Sequence, residues 1–347
     1  MNVQIVEATM KKTERTKSMN TKLQERCNLQ IENEAIIRKA GFLQYEELIK
    51  LGALFYTTRG LKAEEEKIKA CKKILKSSAG IFSNFRGFLE YIIVVKMSLA
   101  EDPQAYINQV IDIYKKLVEG RKLPGETLAM AAITIYEQSK GKDVDSIIKK
   151  TREAYAQIKQ DHRFLTDETD MSFVALMAIT GMDTEKAATE VEEIFQSLKD
   201  NYRIPSNSAQ ATALVLSMSP LPVQEKVDKF LNIYKVLREE QHATSKGKSM
   251  SIYAAFADLD IPQERIIPEI IETDLWLKKQ KGYGVLSINA DVRRVLAATM
   301  VLKDHEAERA ALSTDMTSVV SAVVAEEVIF AITMIIVMSM VIYNMIN

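Results

Sequence analysis

The sequence predicts an all-α fold: tandem antiparallel helix pairs of about 40 residues, stacked as an α/α solenoid or toroid. Three observations lead there. Only 12 Gly and 7 Pro occur in 347 residues, which leaves few breakers and little room for hairpins. Large residues at Ile74, Tyr114, Tyr155, Phe195, Tyr234 and Leu275 recur about every 40 residues. Around each of them the same two-helix grammar returns. A charged amphipathic helix (DIYKKLVEGR, EAYAQIKQDHR, EIFQSLKDNYR, NIYKVLREEQH, DLWLKKQKGY) is followed by a polar loop and a second, more apolar helix.

Taken in order, residues 1–22 form a polar leader with Lys11, Lys12, Arg15 and Lys17 and little apolar periodicity, expected to be frayed and solvated. Helical periodicity begins at Leu23–Ala40 and continues over Leu43–Thr57, with Gly41 as the stop between them. These two helices (23–57) open a helical-repeat domain over 23–309, whose pairs run from about 62 to 304. In each pair the first helix keeps a charged outer face and turns one large knob inward. The second carries small residues, among them Ala131, Ala132, Ala175, Ala213, Ala254, Ala297 and Ala298. Small side chains let helices approach closely, so the second helix is the inner layer. A single pair cannot bury both faces, whereas stacked neighbours share a core.

The loops from first to second helix align as GRKLPGET, DHRFLTDETD, NYRIPSNSA, QHATSKGKS and KGYGVLSINA. An apolar residue in several of them would tuck under the next helix, and a short polar one would cap it: Glu126, Asp167, Asn207, Asn289. The basic residue would complement the dipole of the preceding helix. A second reading stacks the loops on one rim, where Arg163, Arg203, His242 and Lys281 would receive an acidic or phosphorylated partner.

Other patterns carry less chemistry than they suggest. In SKGKS (245–249) the Gly that a phosphate loop needs five residues ahead of Gly247-Lys248-Ser249 is His242 instead. DETD (167–170) gathers three carboxylates, Asp167, Glu168 and Asp170, but no second metal-binding run accompanies it, and acidic residues belong in a first helical turn. His162, His242 and His305 are far apart and lack metal-ligand spacing. No catalytic triad, metal site or cofactor motif is legible, so catalytic residues, metals and cofactors are all read as none.

Lys and Arg total 46 against 47 Asp and Glu, so no bulk charge attracts nucleic acid. Cys27 and Cys71 form no C-x-x-C, and no apolar signal opens the chain, which points to a cytoplasmic setting. The strongest compositional shift comes at residues 310–347, where Val328–Tyr343 is an uncharged run of 16 residues. It reads first as a final helix packed on the repeats. A self-association helix over 318–347 is the second reading, and a membrane anchor, for which the run is short, the third.

Residues 162–181, HRFLTDETDMSFVALMAITG, resemble the F-L-T…D…A-L-L-A block of an uncharacterised bacterial family, the domain-of-unknown-function 4003 family. The resemblance extends loosely over about 22–330, through helix pairs with a late Tyr as at Tyr114, Tyr155 and Tyr234. It implies a soluble helical protein and transfers no catalytic residue. The function expected is a non-enzymatic scaffold for a protein or peptide partner. An enzyme or carrier for an apolar, isoprenoid-like ligand in a central cavity is the alternative, and a membrane-tethered adaptor the third reading.

Overall fold

The computed structural model describes residues 19–41, 46–79, 83–86, 88–120, 125–139, 141–161, 171–243, 249–259, 261–284 and 287–312. Among these there are fourteen α-helices and no strand. They are α1 (Thr21–Lys39), α2 (Glu46–Thr57), α3 (Glu65–Ser78), α4 (Phe88–Leu99), α5 (Pro103–Val118), α6 (Glu126–Gln138) and α7 (Val144–Asp161). The series continues with α8 (Met171–Thr180), α9 (Thr184–Asp200), α10 (Ser206–Ser217), α11 (Val223–Glu239), α12 (Ser249–Ala254), α13 (Gln263–Lys278) and α14 (Ala290–Leu312). The leader 1–18, the loop residues Arg163, Asp167, Glu168 and Asp170, and the apolar stretch 313–347 lie outside the described residues.

Local chemistry accounts for many of the boundaries. The carboxylate of Asp102 accepts from the amides of Gln104 and Ala105, and Pro103 supplies a preset φ, so α5 starts there. Asp183 caps α9 in the same way through Glu185 and Lys186. Asp143 accepts from Asp145 and Ser146 ahead of α7. Asn289 does so for Asp291 at α14, as the loop pattern predicts. At α6 and α10 the cap positions belong to Gly125 and Pro205, so Glu126 and Asn207 sit inside the helix rather than capping it. Gly41 has a φ of +91° just past α1, the left-handed stop that a side chain would resist.

Consecutive helices pack as α1 with α2, α3 with α4, and so on to α13 with α14. The odd-numbered helices also touch one another in chain order, and α13 returns to α1. Among the even-numbered helices α2 meets α4, α6 meets α8, α10 meets α12, α12 meets α14, and α14 returns to α2. The two ends of the described chain are thus neighbours. Ala131, Ala132, Ala175, Ala213, Ala297 and Ala298 of the even-numbered helices are fully buried, as close helix approach demands.

The large residues of the odd-numbered helices follow the expectation in the middle of the chain and depart from it at both ends. Tyr114, Tyr155, Phe195 and Tyr234 are buried. Ile74 is only half-buried and Leu275 is 42% exposed. Their neighbours Leu75 and Asp274 occupy the buried place instead. In DLWLKK, therefore, the inward position belongs to a carboxylate.

Gly52 of α2 lies against the ring of Tyr91 of α4, and a Cβ there would stand 2.6 Å from the phenol carbon Cζ. Replacing a mid-helix Gly with Ala ordinarily gains about 1 kcal/mol of helix propensity. Here Gly52→Ala is expected to lose about 1–3 kcal/mol through overpacking. Urea unfolding measures it, and adding Tyr91→Leu should recover part of the loss. A stabilised Gly52→Ala protein would contradict the close approach.

Candidate functional site

Two of the apolar even-numbered helices each carry a charge near their C-terminal end. In α4 (FLEYIIVVKMSL) it is Lys96, 4% exposed at its side chain, and in α6 it is Glu137, 12% exposed. The Lys96 ammonium donates to Glu137 Oε2 at 2.6 Å and stands 4.8 Å above the ring of Phe55. Tyr106 of α5 donates its hydroxyl to Glu137 Oε1 at 2.8 Å. Its ring meets Tyr136 edge to face at 4.7 Å. Both carboxylate oxygens of Glu137 are therefore engaged, as a charge withdrawn from water requires.

These residues floor a groove of about 1090 Å³ that is open along one side. It crosses the ends of α4, α6 and α8, with Arg59, Glu101, Asp102 and Lys142 on its rim. Lys142 donates to the carbonyl of Ile179 at 2.6 Å, closing the α8 end. All four rim residues are exposed.

Electrostatics fix the floor in one ionisation state. Burial pushes the Glu137 carboxyl up, but the charges of Lys96 and Arg59 and the two hydrogen bonds outweigh it, leaving it below its usual 4.5. Burial and the adjacent Glu137 charge hold the Tyr106 phenol well above 10. Tyr136 is raised by burial, Glu137 and Asp102. At neutral pH the floor is thus a paired carboxylate beside two neutral phenols. Both Glu137 oxygens are already accepting, which ill suits the carboxylate to take a substrate proton.

A second buried polar cluster joins the chain ends. Tyr283, just after α13, donates its hydroxyl to Glu34 of α1. Lys50 of α2 reaches Glu34 Oε2 at 2.8 Å and lies 4.1 Å over the Tyr283 ring. Gln30 adds a bond to Glu34 at 3.2 Å. One helix further, Asp274 accepts from Arg293 Nε at 2.6 Å and from His242 Nδ1 at 2.7 Å. Burial raises the Asp274 carboxyl, and the bonds from His242 and Arg293 bring it back below its usual 3.8. Because that carboxylate only accepts, Nδ1 of His242 carries the proton.

Glu137 and Asp274 both have depressed folded-state pKa values, so the unfolded chain binds protons that the folded one refuses. The stability they contribute is present above pH 4.5 and is lost as pH falls through the lower folded values. Urea midpoints should be flat from neutrality to about pH 5 and drop below about pH 4, with a shallower drop in Glu137→Gln.

Three of the four loop residues that the sequence points to, Arg203, His242 and Lys281, fall among the described residues. Arg203, at a φ of +53°, and Lys281 are exposed on separate loops. His242 turns its ring to Asp274, and Arg163 lies outside the described residues. The groove uses the connections between pairs, at the other end of the helices from those loops. One signal for it stood in the sequence: a charge near the end of each of two apolar helices, Lys96 and Glu137, 41 positions apart. Among the described residues no three His, Cys, Asp or Glu side chains gather as metal ligands. Nor is any described helix long and apolar enough to cross a membrane.

The described residues form an all-helical protein with an open groove floored by a buried ion pair. The pattern of a family described as a protein of unknown function, DUF4003, matches residues 34–329, and the chain belongs to that family. No curated protein and no solved structure matches it.

Proposed function

We propose that the chain is a closed α/α toroid of helix pairs, each about 40 residues long, and that it works as a non-enzymatic scaffold holding an extended peptide segment of a partner protein. The return of α13 and α14 to α1 and α2 supports closure. Buried positions at Leu75, Tyr114, Tyr155, Phe195, Tyr234 and Asp274, evenly spaced along the chain, support the pairing.

The observation that carries the functional reading is the groove's shape and chemistry. It is long, open on one side, and floored by groups already paired. The groove runs from Arg59 across the ends of α4, α6 and α8, and its volume of about 1090 Å³ admits a short extended segment. Half-buried Leu99, Ala100 and Tyr136 supply apolar contact between polar positions, which suits a main chain with alternating side chains.

Panning a random peptide display library on the purified full-length chain tests this. Enriched peptides should bind the wild-type protein and lose at least about tenfold on Ala105→Trp, which fills the groove. If no peptide is enriched, or if the enriched ones bind Ala105→Trp equally well, the scaffold reading is wrong.

A further inference from the structure

The even-numbered helices have long stretches with no exposed side. Residues 48–57 of α2, 91–98 of α4, 128–135 of α6 and 295–306 of α14 are buried without interruption. About 3.6 residues complete a turn, so each of these runs covers the whole circumference of its helix. In α5, by contrast, Asn108, Asp112 and Lys115 face solvent, as one side of an outer helix does. Every close packing among the even-numbered helices joins neighbours in that layer, α14 to α2 included. An array of only two layers leaves a concave face in water. Here that face is buried like the others, which calls for a third layer. In α14 the side that needs it can be located. Met300 meets Cys27 of α1 at 3.8 Å, Asp304 meets Arg26 of α1 at 3.4 Å, and His305 reaches Glu269 of α13. Thr299 stands about 100° round the helix from Met300 and about 120° from His305, so it points at neither outer helix. It is fully buried all the same. Lys303 and Glu306 lie within about 40° of it, paired at 2.8 Å and each 9% exposed.

We propose that residues 328–343 of this same chain are the third layer, a helix lodged against the inner faces of the even-numbered helices. The other stretches outside the described residues are unsuited to that place. The leader carries Lys11, Lys12, Arg15 and Lys17, and the longest internal gap, 162–170, carries Arg163, Asp167, Glu168 and Asp170. Either would strand charges on an apolar face. Residues 328–343 hold no charge, and they follow α14, itself a member of the layer to be covered. A helix that is apolar all round is stable only when it is surrounded. Sixteen residues of helix measure about 24 Å, against about 18 Å for the twelve of α2 or α4, so the run can span the layer from end to end. The place that an apolar ligand would take in a central cavity is then filled by the chain itself. A partner is left with the ends of the helices, where the groove lies. The inference does not depend on what the groove holds.

Photo-crosslinking on the full-length chain tests the placement. Phe330 or Tyr343 is replaced by p-benzoylphenylalanine, which keeps an aromatic ring at the position. A mixture of ordinary and heavy-isotope-labelled protein is then irradiated with and without phosphatidylglycerol vesicles. Crosslinks should fall on even-numbered helices, within one chain, and the vesicles should not change them. Links between a light and a heavy chain would assign the inner face to a second copy. Lipid adducts would assign the run to a membrane, and links to odd-numbered helices alone would put it on the outside. Each of these results, or the lack of any link to an even-numbered helix, overturns the proposal. In a second measurement, Thr299→Cys in the otherwise unaltered chain should react slowly with a water-soluble maleimide. Adding Ile336→Glu should speed that reaction at least about tenfold, while the buried Cys27 and Cys71 stay unlabelled. A reaction that is fast from the start, or that Ile336→Glu leaves unchanged, overturns the proposal as well. If Cys27 and Cys71 are labelled too, the variant has unfolded and the crosslinks decide.

Discussion

Asp274→Ala is expected to destabilise the protein by about 3–5 kcal/mol, because it removes the carboxylate shared by a buried guanidinium, Arg293, and a half-buried imidazole, His242. Arg293 is 4% exposed at its side chain and gives Asp274 two donors, at 2.6 and 3.4 Å. Once the carboxylate is gone, the guanidinium is left with a long contact to the Tyr283 carbonyl, at 3.4 Å. His242 loses the acceptor of its Nδ1 proton in the same step. Chemical denaturation measures the loss, and Asp274→Ala combined with Arg293→Met should recover a good part of it, since an apolar pair strands no charge. Leu275→Ser, one position along, should move the stability by less than about 0.5 kcal/mol, as expected of an exposed side chain. Equal effects at 274 and 275 would show that the helix is rotated from the position described.

Glu34→Ala should be of similar size, about 3–5 kcal/mol, for a different reason. Lys50 is 1% exposed, and its next carboxylate, Glu46, stands off at 3.8 Å and is already held bidentately by Arg38 at 2.7 and 2.8 Å. The Tyr283 hydroxyl, fully buried, loses its acceptor as well. Tyr283→Phe isolates that second part and should cost about 1–2 kcal/mol. The double change Glu34→Leu with Lys50→Met is the control, expected to be far milder than Glu34→Ala. A Glu34→Ala protein as stable as the wild type would mean that the cluster is not desolvated.

Helix content was legible in the sequence because breakers are scarce and the apolar spacing is helical over long stretches. The burial of Tyr114, Tyr155, Phe195 and Tyr234 was legible for the same reason: an aromatic among charges on an amphipathic helix has one place to go. Asp274 was not. Hydropathy ranks Leu275 above it, and only the arrival of Arg293 and His242 from other parts of the chain makes a carboxylate tolerable at an inward position. Lys96 and Glu137 pose the same problem. Each looks like a misfit in its own helix, and the sequence does not say that the two misfits meet. Capping signals cluster in the loops within pairs and make those loops conspicuous, while the groove lies at the connections between pairs. Those connections are short and their polar residues, Asp102 and Asp143 among them, are occupied in starting the next helix.

The neighbouring placement of α1 and α2 with α13 and α14 also has a bearing on synthesis. A chain emerging from the ribosome in order makes Glu34 and Lys50 long before Tyr283, 249 positions after Glu34, exists to cover them. For most of elongation the flank of the first pair that will receive α13 and α14 stays in water, where the ammonium and carboxylate are well hydrated. An apolar flank would be a sticky surface throughout that interval, open to pairing with another nascent chain. A charged one waits without cost and becomes buried only when its distant partner arrives. The joint that looks extravagant in the finished fold is thus suited to a protein whose late-made helices must find ones made much earlier.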